Sequence, residues 1–315
     1  MQLKIAFLLY PTARVKVSED SSFWIMRELV SRGHRVAYFE SADLSGRAGT
    51  PLARVREARL DPSKGYLPSP LSKRPVDLAG WDCVFIRKEP PFDNQYLYSL
   101  QLMETIKDRT FVINDPAGIA LCNEKLFALS FPRYAPETLV TQSPAEGRRF
   151  VTELGRDVVI KALHQKGGAG IFRSGPRDRN LPSLLESATA FGTERIMVQR
   201  YVPAERWGDK RILLLDGKIL GAFLRWPPRH DFRANLSVGG AMRRARVTPF
   251  DEKLVEALRP KLDAYGLYFV GVDLIGRYLT ELNVTSPAGL PEIHHFHRRR
   301  PEAEVADFIE KRSGS

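Results

Sequence analysis

Two carboxylates and one amide lie on a hydrophobic hairpin predicted near the C-terminal end of the chain. They are Asp273, Glu281 and Asn283, within the run VGVDLIGRYLTELNVTSP over residues 270–287. This run predicts two strands joined by a tight loop. Glu281 and Asn283 are two residues apart, so both side chains point to the same face of a strand.

The length of the loop decides whether Asp273 joins the other two side chains. A three-residue loop, Gly276-Arg277-Tyr278, pairs Asp273 with Glu281, whereas a two-residue loop would pair it with Thr280. We predict the three-residue loop, because only that register brings the two carboxylates together.

The residue types of this hairpin indicate a metal. Acidic and amide oxygens, without His or Cys, suit a hard cation that keeps water ligands and shares nucleotide phosphates, which means Mg²⁺. The alternative is an edge hairpin whose polar side chains face solvent. The neighbouring apolar positions favour the metal, because we predict that they are buried: Val270, Val272, Leu274, Leu282 and Val284.

A glycine-rich loop, QKGGAG at residues 165–170, follows a predicted strand that ends at Lys161. Small residues let backbone N–H groups approach phosphate oxygens, and an adjacent lysine adds positive charge. No GKS or GKT follows the loop, so it is not a Walker motif. The loop could also be an ordinary turn. We favour a flap that closes over phosphate groups, because the carboxylate hairpin lies downstream in the same chain.

One further segment and two arginines have residue types that suit the binding of a nucleotide. The segment 199–203, QRYVP, follows an apolar strand, where backbone groups can bind an adenine edge; a plain strand end is the alternative. Arg211 and Arg225 would direct positive charge toward an anionic substrate or a developing phosphoryl charge. Solvated surface arginines are the alternative for both.

Composition and charge limit the class of protein. The chain has 315 residues and a formal net charge of +11. We expect two or three lobes, and a basic surface with an anion site in preference to a nucleic-acid partner, because the arginines are scattered along the chain and are not gathered in one block. A nucleic-acid or anionic-surface binding protein with no catalytic activity stays open as an alternative. A salt titration would separate the two.

The cysteines and apolar runs predict a cytoplasmic protein. Cys83 and Cys122 form no CxxC pair, so two reduced thiols are expected. The N-terminal run MQLKIAFLLYPT is too short for a signal peptide and has no small-residue cleavage site. No apolar run approaches the ~20 residues of a membrane span, so we expect no membrane partner.

Other enzyme classes lack their motifs. There is no GxSxG elbow of a hydrolase and no GxGxxG after the first strand, as a Rossmann dehydrogenase would have. The histidines at 294, 295 and 297 have no HExxH spacing, so a solvated basic face is favoured over a transition-metal site.

The strand and helix signals predict an N-terminal parallel α/β lobe followed by α+β lobes, and these elements would position the candidate residues. Strands at 3–9, 36–39, 83–86 and 111–113 alternate with helices, the first capped by Ser21 or Ser22 and stopped by Gly33. Residues 41–80 are expected to be irregular, with a possible hairpin, and a lobe boundary and a helix are expected at Asn123-Glu124-Lys125.

Further along, Ser143 caps a helix, Asp216-Gly217 marks a hairpin, and residues 226–240 look like a mobile loop. Thr248-Pro249 starts a helix to Gly266 that Pro260 is expected to kink or split, and a last helix begins near Pro301.

Several runs resemble the bacterial glutathione synthetases, which are ATP-grasp ligases. They are IRKEPPFD (86–93), CNEKLF (122–127), PETLVT (136–141), GGAGIFR (167–173), GDKRILLLDG (208–217) and FVGVDLIGRYLTELNVTSP (269–287). The NEKLF and TELNVTSP blocks are the most specific. The resemblance implies a substrate lobe at 1–122 and an ATP-grasp region at 123–315, divided into a lid lobe at about 123–200 and a metal and substrate lobe at about 201–315.

The resemblance also implies a reaction. ATP phosphorylates the C-terminal carboxylate of γ-glutamylcysteine, and the amine of glycine attacks the acylphosphate to give glutathione, ADP and phosphate. Mg²⁺ serves as the cofactor, Mn²⁺ is a possible substitute, and a homo-oligomer is expected. An ATP-grasp ligase for a different acid and amine is the alternative.

By match of motif, the resemblance assigns a role to each candidate residue. The residues that would bind ATP are Lys125, Lys161, Lys166, Gly167, Gly168, Gln199, Arg200, Tyr201, Val202 and Asp209. Asp273, Glu281 and Asn283 would bind the metal, and Arg211 and Arg225 would face the acylphosphate. The residues that would border the peptide substrate are Arg87, Asn235, Ser286 and Pro287.

This sequence also departs from the family pattern in places. His164-Gln165-Lys166 replaces a more acidic and smaller flap stem, Ala234 replaces a usual Gly, and Tyr10 stands where Asp is common. The segment after Gly289-Leu290-Pro291 differs as well. The substrate-facing half therefore departs more than the nucleotide half.

Overall fold

The N-terminal lobe contains a mostly parallel sheet. In the computed structural model, residues 1–12, 16–59, 69–165, 167–235 and 238–314 are described. The strands of this lobe are β1 (Lys4–Leu9), β2 (Arg35–Glu40), β3 (Leu44–Arg47), β4 (Thr50–Ala53), β5 (Arg56–Glu57), β6 (Val76–Asp77), β7 (Cys83–Arg87) and β8 (Phe111–Ile113). Its main sheet has the order β5-β2-β1-β7-β8, and only the short edge strand β5 is antiparallel. The predicted parallel α/β lobe is confirmed.

Helices α1 (Ser21–Ser31), α2 (Asn94–Glu104) and α3 (Pro116–Leu121) belong to this lobe. The side chain of Asp20 accepts hydrogen bonds from the backbone N–H groups of Ser22 and Phe23, so the cap precedes the two serines that we predicted. Strands β3, β4 and β6 form a small separate sheet within residues 41–80. That segment is therefore more regular than expected, and the predicted hairpin is β3–β4; residues 60–68 lie outside the described part.

The second sheet, which we call the lid sheet, lies in the region predicted to be the lid lobe. Its strands are β9 (Thr138–Thr141), β10 (Val158–Ala162), β11 (Ile171–Ser174) and β12 (Ile196–Arg200), in the antiparallel order β11-β10-β12-β9. Helices α4 (Pro144–Leu154) and α5 (Leu181–Ala188) pack on it, and Ser143 caps α4 as predicted. This lobe has its own small apolar core around Val151, Leu185 and Val198.

The third sheet has the antiparallel order β15-β14-β13-β16-β17. Its strands are β13 (Asp209–Leu215), β14 (Lys218–Trp226), β15 (Ala241–Arg244), β16 (Phe269–Ile275) and β17 (Tyr278–Asn283). The helices are α6 (Ala204–Trp207), α7 (Pro249–Ala264), α8 (Leu290–His297) and α9 (Pro301–Ser313). Each of the two large hydrophobic clusters combines residues of this sheet with residues of the N-terminal sheet.

The predicted split of the helix at Pro260 was wrong, and the helix predicted at Asn123-Glu124-Lys125 was correct only in part. Pro260 lies inside α7 without ending it, so the helix runs unbroken from Pro249 to Ala264. Asn123-Glu124-Lys125 does not open an α-helix; the side chain of Asn123 accepts from the backbone of Lys125 and Leu126 in a turn, and a short 3-10 helix follows at Phe127–Ser130. These are the contacts of a helix N-cap, and the N–H of Phe127 donates to the backbone oxygen of Asn123 at 2.8 Å, so the segment begins a helical turn that continues only as this 3-10 helix. Within the described residues, no helix is both long and apolar enough to cross a bilayer.

The turn between β16 and β17 corrects the predicted loop length. Ile275 pairs with Tyr278, which leaves a two-residue turn, Gly276-Arg277. The register then shifts between Asp273 and Leu274, so that Asp273 still pairs with Glu281. A β-bulge that accommodates Thr280 thus restores the facing pair that a two-residue turn alone would have separated.

Candidate active site

One face of the third sheet gathers the charged residues predicted from sequence. Strand β13 lies between β14 and β16, and Asp209 pairs with Arg225 on one side while Arg211 pairs with Asp273 on the other. Asp273 in turn pairs with Glu281. Since residues directly opposite each other share a face, the register alone brings these side chains together.

The side chains form a continuous ionic network. Arg211 donates from Nε and Nη2 to the two carboxylate oxygens of Asp273, at 2.5 and 2.7 Å. Arg225 lies between two carboxylates, with its Nη2 2.6 Å from Asp209 and 2.9 Å from Asp273. Asn283 donates from Nδ2 to Asp273 at 3.1 Å. Asp273, Arg211 and Arg225 are each less than a tenth exposed.

Burial and charge act in opposite directions within this network. Burial raises the pKa of Asp273, but Arg211 and Arg225 outweigh it and hold the pKa well below its usual range. The carboxylates Asp209 and Asp273 raise the pKa of Arg225 against its own desolvation. For Asp209, burial dominates and raises the pKa. Asp273 is therefore anionic and Arg225 is cationic at neutral pH.

A glycine leaves room for the arginine of this face. A Cβ atom on Gly271 would lie 3.2 Å from Cδ of Arg211 and 3.3 Å from Cβ of Asn283. Both contacts are tighter than ordinary packing, so a side chain at 271 would push Arg211 away from Asp273.

Two buried lysines face the network from the other side of a cleft. Lys125 is 5% exposed, and its Nζ donates to the backbone oxygen of Gln165 at 2.7 Å. It also lies 3.9 Å from Glu281. Lys161, 6% exposed, donates from Nζ to Oε1 of Gln199 at 3.0 Å. Desolvation lowers the pKa of Lys161, with the charge of Glu281 opposing it.

The end of β12 forms the far end of the cleft. Gln199 is held by Lys161 and by Thr138, to which its Nε2 donates at 3.0 Å. Beyond it, the backbone N–H of Tyr201 donates to the backbone oxygen of Asp157 at 2.8 Å, which extends the pairing of β12 with β10 by one residue. The guanidinium of Arg173 lies 4.0 Å from the ring centroid of Tyr201.

Two loops meet over the cleft. Arg233, from the loop between β14 and β15, donates from Nη1 to the backbone oxygen of Gly168 at 2.8 Å, and Asp231 orients its guanidinium. Gly168 has φ +82°, and a Cβ there would lie 2.8 Å from Oδ1 of Asn235. Glycine at 168 is therefore required both by the backbone conformation and by the approach of the second loop.

The cleft has a volume of about 260 Å³. Most of the residues predicted from sequence line it, namely Lys125, Lys161, Gly167, Gly168, Gln199, Arg200, Tyr201, Val202, Asp209, Arg211, Arg225, Asn235, Asp273, Glu281, Asn283 and Ser286. Lys166 lies outside the described residues. Arg87 and Pro287 are not part of the lining.

Arg87 is instead buried behind the cleft wall. It is 1% exposed, and its guanidinium donates to Oγ of Ser22 at 3.0 Å and to the backbone oxygen of Pro287 at 2.9 Å. It therefore ties the end of β7 to the segment that follows β17. The contact of Arg87 with the predicted substrate border is therefore a hydrogen bond to the backbone of Pro287, behind the cleft.

Sequence reasoning missed several residues of the lining. Phe232 and Arg233 lie in the predicted mobile loop, whose basic and aromatic residues were the available signal. Glu124 adjoins Lys125 in sequence, yet Thr285, with which it makes hydrogen bonds, is 161 residues away. No local pattern predicts such a contact.

The donor set fits Mg²⁺. Asp273 and Glu281 are facing carboxylates on adjacent strands, and the amide of Asn283 lies beside them. In the part of the chain that the structure describes, no cluster of three or more His, Cys, Asp and Glu residues could hold a metal by itself. Two carboxylates and an amide match a cation that takes its remaining oxygens from water and phosphate.

Solved structures define the class of this fold. D-cycloserine synthetase DcsG aligns over 97% of this chain and 99% of its own, with a TM-score of 0.65 and 15% identity. D-alanyl-alanine synthetase A from Vibrio cholerae aligns over 99% of both chains, with a TM-score of 0.66 and 14% identity. The ATP-grasp ligase PsnB, in a complex with Mg and ADP, gives a TM-score of 0.65 at 15% identity, with 99% of this chain and 100% of its own covered. The chain has the ATP-grasp fold.

Sequence relatives specify the family. Residues 3–120 match the N-terminal domain of prokaryotic glutathione synthetase, and residues 124–298 match its ATP-grasp domain. The glutathione synthetase of Mesorhizobium japonicum is 40% identical over 296 residues, with 94% of each chain covered. That of Brucella melitensis is 38% identical over 315 residues, covering 99% of this chain and 100% of its own. The chain belongs to the prokaryotic glutathione synthetase family.

Membership of this family defines the enzyme class. The chain is an ATP-grasp ligase of glutathione biosynthesis, which forms a carbon–nitrogen bond with consumption of ATP. The predicted enzyme class is confirmed.

Proposed function

We propose that the protein joins γ-glutamylcysteine to glycine. The observation that carries the proposal is the single sheet face on which Arg211, Arg225, Asp273 and Glu281 lie side by side, with Lys125 and Lys161 across the cleft. Anion-binding groups on both walls suit a reaction between a carboxylate and a nucleotide phosphate. The relatives named glutathione synthetase supply the identity of the acid and the amine.

In the first step, a carboxylate oxygen of γ-glutamylcysteine forms a bond to the γ-phosphorus of ATP. The bond between that phosphorus and the β–γ bridging oxygen breaks, and ADP leaves. Lys125 and Lys161 would hold the phosphates, and the N–H groups of Gly167 and Gly168 would close over them. When bound at Asp273, Glu281 and Asn283, Mg²⁺ would neutralise phosphate charge.

In the second step, the glycine nitrogen attacks the acyl carbon of the acylphosphate. The tetrahedral centre collapses with loss of inorganic phosphate, and the amine proton leaves to solvent. Arg211 and Arg225 would stabilise the negative charge on the acyl and phosphoryl oxygens. Ion pairs with Asp209 and Asp273 already hold the two guanidinium groups in place, so the arginines need no reorientation when negative charge develops on the substrate.

The adenine end and the substrate border complete the proposed roles. Gln199, Arg200, Tyr201 and Val202 would contact the adenine, and Asp209 the ribose. Asn235 and Ser286 would border the peptide substrate, whereas Arg87 would act through the backbone of Pro287. We propose lobes at 1–122, about 123–200 and about 201–315.

Some broader properties are proposals as well. Mn²⁺ would replace Mg²⁺, because it accepts the same oxygen ligands. A homo-oligomer is expected from the family resemblance, and a cytoplasmic location from the two reduced cysteines and the short N-terminal apolar run. Light scattering of the purified protein tests the oligomer, and turnover with MnCl₂ in place of MgCl₂ tests the metal.

The decisive test is ADP release by the purified protein with Mg-ATP. The two substrates, γ-glutamylcysteine and glycine, are added separately and together, and the product is identified by mass. Release that requires both, with glutathione as the product, supports the proposal. ADP release without glutathione would overturn it in favour of a ligase for another acid and amine.

A further inference from the structure

The connector between the lobes makes an unusual set of contacts. Asn123 donates from Nδ2 to the backbone oxygen of Leu163, beside the glycine-rich loop, at 3.2 Å. The backbone oxygen of Glu124 accepts from the N–H of Leu282 at 2.8 Å. Residues 123 and 124 therefore contact both the stem of the flap and the strand that carries the metal ligands.

The side chain of Glu124 has a different partner from its backbone. Its Oε1 accepts from the hydroxyl of Thr285 at 2.6 Å and from the N–H of Thr285 at 3.2 Å. Thr285 is 4% exposed and directly precedes Ser286, which lines the cleft. The backbone of Glu124 thus holds the metal strand, and its carboxylate holds the segment after that strand.

The segment 285–290 has further anchors beyond Thr285. The backbone oxygen of Pro287 accepts from Arg87 at 2.9 Å, and the backbone N–H groups of Gly289 and Leu290 donate to Oγ of Ser21 at 3.0 and 3.2 Å. These anchors secure the far part of the segment. Next to Ser286, on the side of β17, the side chain of Glu124 supplies two hydrogen bonds.

We propose that the carboxylate of Glu124 is a positioning residue that places the 285–288 segment for the carboxylic acid substrate, independently of ATP binding. Glu124 acts through Thr285 and needs no contact with the reacting atoms. The inference rests on the proposed function, since the acid must be known before its KM can be measured. Because the backbone contact with Leu282 survives any side-chain substitution, the metal strand should stay in place.

The test compares Glu124→Ala with Glu124→Gln, which keeps an acceptor oxygen for Thr285. Glu124→Ala should raise the KM for γ-glutamylcysteine about tenfold, the loss expected when a hydrogen bond to a charged group disappears. The KM for ATP should change less than about twofold, and Glu124→Gln should restore most of the acid KM. Equal changes in both KM values, or no change in either, would overturn the proposal.

The partner residue supplies matched controls. Thr285→Val removes the donating hydroxyl at nearly constant shape, and Thr285→Ser retains it. We expect Thr285→Val to behave like Glu124→Ala, Thr285→Ser to behave like the wild type, and the double variant to be no worse than either single one. Additive effects would show that the two residues act separately and would contradict the inference.

A measurement without substrate separates this inference from the proposed function. Hydrogen exchange of the Thr285 amide should be about tenfold faster in Glu124→Ala than in wild type, while the Leu282 amide stays protected. Unchanged exchange at Thr285 would overturn the positioning role even if the enzyme makes glutathione. Conversely, faster exchange in a protein that makes no glutathione would support the positioning role and contradict only the proposed function.

Discussion

The two walls of the cleft are built in different ways. The third sheet presents Arg211, Arg225 and Asp273 already paired with one another, and its apolar faces share cores with the N-terminal lobe. The lid sheet has a small core of its own and presents Lys161, whose described hydrogen bond is to the neutral side chain of Gln199. One wall is therefore organised before substrates arrive, and the other offers charge for a ligand to neutralise.

This difference assigns distinct tasks to the two walls. A preorganised network costs little rearrangement when charge develops in the transition state. Burial of the Lys161 ammonium costs free energy as long as no anion is bound to its Nζ. Binding of the ATP phosphates would offset that cost, so we expect Lys161 to contribute to ATP binding more than to the chemical step. Substitutions in the sheet should therefore lower kcat, whereas substitutions in the lid should raise the KM for ATP.

The largest effect is expected for Asp273→Asn. The change removes the charge shared by Arg211, Arg225 and the metal, and we expect ADP release to fall about a thousandfold. Asp216→Asn, at the exposed turn of the same sheet, is the control and should retain wild-type turnover. Substantial turnover by Asp273→Asn would contradict the central place of this carboxylate.

The second prediction concerns the lid. Lys161→Gln keeps hydrogen-bonding capacity but removes the charge, so the KM for ATP should rise about a hundredfold. Lys218→Gln, at an exposed position in β14, should leave it unchanged. If Lys161→Gln lowered kcat with the KM for ATP intact, the assignment of binding to the lid would be wrong.

A smaller loss of activity is expected when the contact between the two loops is disturbed. Gly168→Ala places a methyl group 2.8 Å from Oδ1 of Asn235, and kcat/KM for ATP should fall about tenfold. Gly239 is the matched control, because its φ is +88° and nothing lies within 4 Å of an added Cβ. Gly239→Ala carries similar backbone strain, so equal losses in both variants would mean that strain, and not the loop contact, is responsible.

The smallest effect is a shift in pH dependence. Burial lowers the pKa of Lys161 from its ordinary 10.5. As pH rises through the lowered pKa, the ammonium loses its proton, and kcat/KM for ATP should fall several-fold at a pH below 10.5. In Lys161→Arg the guanidinium stays charged, so the same pH titration should be flat there. A fall of equal size in that variant would assign the titration to another group.

Sequence reasoning predicted the third sheet's active face better than the lid or the lobe connections. Glu281 and Asn283 share a face because of the two-residue period, and that period is visible in the sequence. The bulge at Thr280 could not be predicted from the sequence, because it depends on how the pairing of β16 and β17 accommodates one extra residue. A wrong loop length nevertheless led to the correct pair, Asp273 and Glu281.

Contacts across long sequence separations explain the remaining differences. The positioning contact of Glu124 with Thr285 and the burial of Arg87 under Pro287 both join distant segments. Neither depends on local propensity. At Asn123 the structure has only a short helical turn, which the Asn123 side chain caps while its amide nitrogen donates to the backbone oxygen of Leu163, 40 residues away.

Strand β17, which carries the proposed metal ligands Glu281 and Asn283, lies at an edge of its sheet, yet its outer side is covered. The N–H groups of Leu279 and Leu282 donate to the backbone oxygens of Tyr134 and Glu124, each at 2.8 Å. At the opposite edge, β15 exposes Arg243 and Arg244. An uncovered, apolar edge strand would accept strands from other molecules and aggregate. Cover at one edge and like charge at the other oppose such polymerisation, so the connector that orders the cleft also helps to keep the protein from aggregating.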